Sequence, residues 1–205
     1  MKENDSYYTI SNVSEGTYKE KGSKFLAFAF PVETEEEIDL QRTAIKKKHH
    51  DARHCVYAFR LGSKGERMHA SDDGEPAHSS GPPVLGKIRS YDLTNILVIV
   101  VRYFGGTKLG IPGLIRAYGS AAEDALQKAQ IIKKIKKKDL QLQFPYEEAH
   151  TIMQWIKAQN AEIIWQEWDS DCRMQLLLSE SQYKKIKEIA LHKGQIKILP
   201  DNSPK

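Results

Sequence analysis

The run from Asn95 to Phe104, NILVIVVRYF, constrains the fold more than any other stretch of the chain. Ile96 to Val101 are all apolar, so the run has no wet face and reads as a central strand buried on both sides. A chain containing it must supply cover for two faces of a sheet. KFLAFAFPV, from Lys24, has the pattern of a partner strand and stops at Pro31, where the ladder loses a donor. HCVYAFRL, ending at Leu61, reads as another. TEEEIDLQRTAIKKKHH reads as a helix with Thr34 as its cap, Glu35 to Glu37 in its first turn and Lys46 to Lys48 in its last, matching the helix dipole at both ends. Its thin apolar stripe suits a helix lying on the outside of a sheet. After Gly113, LIRAYGSAAEDALQKA sets Leu114, Ala117, Tyr118, Ala121, Ala122, Ala125 and Leu126 on one face of small residues, the pattern of a closely packed helix. Gly62 to Gly81 is expected to be a long polar loop.

A boundary is expected at KKIKKKD. Beyond it the order reads strand (Ile135 to Phe144), helix (Tyr146 to Gln159), strand (Glu162 to Trp168), strand (Cys172 to Ser179), helix (Gln182 to His192) and strand (Gln195 to Leu199). That β-α-β-β-α-β order is the split β-α-β, or ferredoxin-like, pattern. The expectation is therefore an α+β protein of two domains, residues 1–132 and 133–205. A length of 205 residues accommodates two compact units. The net charge of +4 permits an acidic partner such as RNA without requiring one. Cys55 and Cys172 form neither a disulfide framework nor a C-x-x-C spacing, which fits a reducing, cytoplasmic setting. MKENDSYYTI lacks the apolar core of a signal peptide, and no apolar run reaches the roughly 18 residues a membrane span needs.

Two stretches have the composition for chemistry. MHASDDGEPAHSSGPP gathers Asp72, Asp73 and Glu75 beside His69 and His78, with Gly74 allowing a tight turn. Short-spaced oxygen ligands suit a hard cation, but neither the EF-hand order nor a zinc H-x-x-x-H pairing is present. The plainer reading is a loop whose carboxylates cap backbone amides. GGTKLGIPG matches neither the Walker A loop nor G-x-G-x-x-G. Gly105, Gly106, Gly110 and Gly113 still lead into a helix start with Lys108 and Arg116 near it, and a helix N-terminus is suited to anions. Two readings of these glycines stand side by side: an anion contact, or close packing and positive φ. Lys24, Arg53, His54 and Arg102 lie at strand ends and are candidates for the same basic surface. No serine sits in G-x-S-x-G, and Cys55 in an apolar strand reads as an inert core thiol. The lysines of 133–138 read as a solvated link or a phosphate-tracking strand face. Trp155 reads as core, and Trp168 as the most exposed of the three tryptophans.

KGSKFLAFAFPV, SDDGEP, RYFGGTKLG and GLIRAYG together closely resemble the IMPACT family, including its bacterial YigZ-type members, along nearly the whole chain. The resemblance implies an N-terminal β-α sandwich like the second domain of some ribosomal proteins and ribonuclease PH, followed by a ferredoxin-like C-terminal domain similar to the last domain of elongation factor G. It implies a translation-linked role. Eukaryotic members bind the activator of the general-control kinase, while the fold relatives of bacterial members suggest RNA or ribosome contact. Two departures stand out: His78, Ser79, Ser80 and Gly81 replace the usual Gly-Thr-Ala-Gly after DDGEP, and Pro112 replaces a glycine before GL.

The expected function is therefore non-catalytic binding of RNA, the ribosome or a translation-associated protein, without a cofactor, metal or membrane. Asp72, Asp73, Glu75, Arg102, Lys108 and Arg116 are expected to share one motif surface, with Lys24, His54, His78, Gly105, Gly106 and Gly110 around it. Two alternatives stay open. One is a metal-dependent hydrolase or nuclease in which the three carboxylates converge on one ion. The other is a pure protein-interaction module.

Overall fold

The all-apolar run lies at the middle of a five-stranded antiparallel sheet in the computed structural model, which describes residues 6–199. The first unit, residues 6–134, comprises β1 (Ser6–Ile10), β2 (Ser14–Glu20), β3 (Ser23–Pro31), α1 (Glu35–Lys48), β4 (His54–Leu61), β5 (Arg67–Ser71), α2 (Gly81–Ser90), β6 (Ile96–Tyr103), α3 (Gly110–Lys128) and most of β7 (Ile131–Ile135). The large sheet has the order β2-β3-β6-β4-β5, so β6 is the central strand. β1 and β7 form a separate two-stranded ribbon.

Alternation along β6 assigns each side chain to one face. Ile96, Val98 and Val100 pack with Phe25, Ala27, Ala29, Val56 and Ala58 beneath α2 and α3, which contribute Val84, Ile88, Leu114, Ala117, Ala121 and Ala125. Leu97, Ile99 and Val101 face the other way with Phe28, Phe30, Tyr57, and Ile38 and Ile45 of α1. Two apolar layers on opposite faces explain why β6 carries no polar alternation. α1 starts as expected: the Thr34 side chain accepts from the Glu37 N–H.

The polar stretch 62–81 is not simply a loop. Residues 67–71 form β5, paired with β4 from Leu61↔Arg67 to Tyr57↔Ser71. An edge strand exposed on its outer side needs no apolar alternation, so the sequence pattern hides it. The same pattern hides α2, because Pro82 and Pro83 read as loop residues. Both lie in its first turn, where a missing N–H costs nothing.

The second unit contains β8 (Lys137–Pro145), a single 3-10 turn (Tyr146–Glu148), α4 (Ala149–Gln159), β9 (Glu162–Glu167), β10 (Asp171–Ser179), α5 (Glu180–Lys193) and β11 (Lys197–Leu199). Its antiparallel sheet has the order β11-β8-β10-β9. The core comprises Leu140, Leu142, Phe144, Cys172, Met174, Leu176 and Leu178 against Ile152, Trp155, Ile156 and Ile186 of the two helices. The strand expected from Ile135 to Phe144 is broken at Lys136: residues before it pair with β1 and those after it with β10 and β11. Compact units accordingly divide between Lys134 and Ile135, two residues beyond the boundary read from composition. In the lysine run, Lys134, Lys137 and Lys138 are ion-paired with Glu33, Glu162 and Glu180.

Candidate functional site

The β4–β6 register sets His54 opposite Arg102 at the end of the sheet, on the face covered by α2 and α3. Just there the chain leaves β5 through the sequence Asp72-Asp73-Gly74-Glu75. Asp73 and Gly74 both take positive φ, 43° and 85°, and this tight turn carries Glu75 inward. Glu75 Oε1 accepts from Arg102 Nη1 at 2.6 Å and from the Tyr118 hydroxyl of α3 at 2.8 Å. His54 Nδ1 bonds the Asp73 carbonyl at 2.9 Å, leaving Nε2 3.9 Å from Glu75 Oε1. Two strands and a helix thus meet on one carboxylate whose side chain is 4 % exposed, beside an arginine side chain that is 8 % exposed. Burial, then the neighbouring Glu75 charge, pushes the Tyr118 hydroxyl far above its ordinary value, so it remains a donor.

The other two carboxylates are committed elsewhere. Asp72 Oδ1 accepts from the Ser80 N–H, the Ser80 hydroxyl and the Gly81 N–H at 3.0, 2.6 and 2.8 Å, while Oδ2 accepts from the His78 N–H at 2.8 Å. Burial alone would raise the Asp72 carboxyl. The hydrogen bonds from Ser80, Gly81 and His78 together outweigh it and hold the group below its ordinary value. Asp72 thereby ties down the start of α2. Asp73 accepts from the Cys55 N–H at 2.7 Å and pairs with Lys46 at 3.1 Å. The three carboxylates therefore serve three different sets of donors and do not converge. Among the described residues no group of three His, Cys, Asp or Glu is placed to hold a metal ion.

A cleft of about 490 Å3 opens above Glu75 and Arg102. Its wall continues through Arg53, His54, Gly74 and Pro76 on one side, and through Phe104, Lys108, Leu109, Gly110, Ile111 and Leu114 on the other. The acidic loop and the Lys108 loop therefore share one cavity. Gly105 and Gly110 have separate reasons to be glycine. A Cβ at Gly105 would stand 1.9 Å from the Gly22 carbonyl carbon, so close backbone approach requires it. Gly110 has φ of +71° at the first residue of α3. That first turn contains no acidic residue and no side-chain cap, and Gly110 and Ile111 open it onto the cleft. Pro112 lies in the same turn, where its missing N–H leaves no bond unmade.

Of the expected site residues, His54, Glu75, Arg102, Lys108 and Gly110 line the cleft. Arg116 does not: it is ion-paired with Glu20 on the exposed side of α3. Lys24 is on the wrong face for the cleft, since its neighbours at alternate positions, Leu26 and Phe28, pack toward α1. Asp72, Asp73 and His78 support the cleft wall through the bonds just described and do not line it, and Gly105 and Gly106 form the adjoining turn. Phe104 and Tyr118 belong to the site although no motif singles them out. Phe104 is an apolar residue 51 % exposed at a strand end, and the sequence gives no sign of that exposure.

A match to the Impact N-terminal domain covers residues 21–126, more than half of the chain and every residue of the cleft. The chain belongs to the IMPACT family. It is 35 % identical over 129 residues to the IMPACT family member YvyE of Bacillus subtilis, a match spanning 63 % of this chain and 59 % of that one. It is 32 % identical over 162 residues to an IMPACT family member of Haemophilus influenzae, covering 78 % of this chain and 79 % of the relative. A crystal structure described as that of a hypothetical protein shares the fold with a TM-score of 0.73 and 24 % identity, over 97 % of this chain and 98 % of that one.

Proposed function

We propose that this chain is a translation-linked binding protein that contacts RNA, the ribosome or a translation-associated protein through the cleft of its first unit, without catalysis. Family membership supports the translation link, through the role that the IMPACT resemblance implies. One observation carries the cleft assignment: Arg53, Lys108 and the open first turn of α3 collect at one cavity, while Asp72 and Asp73 are occupied by the protein's own donors and Glu75 is neutralised by Arg102. Cations and unpaired helix N–H groups suit phosphate oxygens. The accompanying fold reading makes the second unit a ferredoxin-like domain, supported by its β-α-β-β-α-β order and the strand order β11-β8-β10-β9. The first unit would be the β-α sandwich of the ribosomal-protein and ribonuclease PH type.

Co-sedimentation with ribosomes across a salt series tests the function. Binding that weakens with salt and is lost in Lys108→Ala and Arg53→Ala supports it, with Arg116→Ala, outside the cleft lining, as a control. Salt-independent or absent binding, or equal binding by the cleft variants, refutes it. The enclosure of Glu75 and Lys108 in one cleft favours a second reading, a metal-dependent hydrolase. It needs Asp72, Asp73 and Glu75 on one ion, against the bonding seen here, and calorimetric titration with magnesium and manganese decides it.

A further inference from the structure

The cleft floor holds a charged pair, Arg102 and Glu75, whose hydrogen-bonding capacity the protein does not use up. Arg102 Nε is buried without a hydrogen-bond partner. Both bonds to Glu75 fall on Oε1, and Oε2 accepts from no donor among the described residues. A ligand hydroxyl or amine that donates to the unused Glu75 oxygen gains affinity and orientation together. The cleft rim offers two further features. Lys108 and the acid-free first turn of α3 favour an anion. Phe104 and Ile111, 51 % and 53 % exposed, offer an aromatic and an apolar surface at the mouth. A volume of about 490 Å3 falls in the range of small-ligand sites, roughly 300–1,000 Å3.

Anion, hydroxyl or amine donor, and flat ring are the three parts of a nucleotide. We infer that the cleft binds one ribonucleotide bearing a terminal phosphate, the phosphate at Lys108 and the start of α3, a ribose hydroxyl at Glu75 and the base against Phe104. This rests on the phosphate contact proposed above and narrows it from a backbone surface to a single-residue pocket. Two sources carry the same chemistry, a free mononucleotide and the 5′-phosphorylated end of an RNA strand.

Isothermal titration of the full chain tests the inference, with adenosine 5′-monophosphate, adenosine, inorganic phosphate, and a single-stranded RNA hexamer with and without a 5′-phosphate. The nucleotide or the 5′-phosphorylated hexamer is expected to bind at least about tenfold more tightly than adenosine, phosphate or the unphosphorylated hexamer. Lys108→Ala and Phe104→Ala, both at exposed positions, are each expected to weaken that binding by about tenfold, the scale of one base–aromatic stack. Tighter binding of the hexamer identifies an RNA end as the source, and tighter binding of the mononucleotide a free nucleotide. The inference is overturned if no nucleotide-bearing probe exceeds inorganic phosphate, or if both variants bind as the parent does. Ribosome co-sedimentation that persists in Phe104→Ala alongside such a result would sink this inference alone and leave the broader reading standing.

Discussion

Replacing Arg102 with Met isolates the energetics of the buried cluster. The change keeps an unbranched side chain of similar length over the Phe25 ring, which the guanidinium carbon now approaches to 5.6 Å, but removes the charge that neutralises Glu75. Glu75 would keep only the Tyr118 hydroxyl as a donor on a side chain that is 4 % exposed. Stranding one member of a buried pair costs about 3–5 kcal/mol, and the adjoining cleft, which can admit water, puts the expectation near the lower end, about 3 kcal/mol. Glu75→Gln in the same background removes the stranded charge while its amide oxygen still accepts from Tyr118, so the double variant should recover about 1–2 kcal/mol. All three tryptophans are in the second unit, so their fluorescence is a poor reporter of this site. Hydrogen exchange of the β6 amides, read across urea, measures the right unit. A loss below about 1 kcal/mol for Arg102→Met, or a double variant no more stable than the single, would refute the assignment of Arg102 as the counter-ion that makes a buried Glu75 tolerable.

Asp72→Ala should destabilise the first unit by about 2 kcal/mol, because it strips the start of α2 of its acceptor. With its carboxyl held below the ordinary 3.8, Asp72 contributes stability that is fully present above that value and lost as pH falls through the lower folded one. Asp72→Asn should therefore flatten the acid limb of a pH–stability profile, and an unchanged limb would contradict the capping role. Gly105→Ala should cost about 2 kcal/mol or more in thermal or urea unfolding, since the new methyl overlaps the Gly22 backbone. Burial, with Asp73 nearby, pushes the Cys55 thiol up to about 11. A thiol reagent at pH 8 should label it only as fast as the unit opens, and prompt labelling of the native protein would show the account of its environment to be wrong.

The parts of the fold legible from sequence were those in which burial or capping writes itself into residue order. β4 and α1 match the expected spans because an apolar alternation and charged helix ends mark them directly. β5 and α2 were illegible for opposite reasons: one is an edge strand with nothing to bury on its outer side, and the other begins in prolines that punctuate loops more often than helices. In the cleft, His54 and Arg102 are 48 positions apart and meet only through the β4–β6 register, which no single motif records. Nearness in sequence groups Arg116 with Lys108, yet about two turns of α3 carry it to a different side, where Glu20 holds it. Tyr118 could be placed on a buried face by helical spacing. Its hydroxyl meeting Glu75 depends on the positive-φ turn at Asp73 and Gly74.

The bonding of Asp72 also bears on how genetic data on this chain should be understood. Acidic residues in a signature motif invite the assumption that their loss removes an activity directly. At Asp72 the carboxylate fastens three backbone amides, those of His78, Ser80 and Gly81, to the end of β5. Alleles altered there should therefore behave as temperature-sensitive ones, functional in the cold and rescued by mutations that stabilise the first unit elsewhere. Alleles at Lys108 should be defective at every temperature and indifferent to such suppressors, which separates scaffold from contact without knowledge of the ligand.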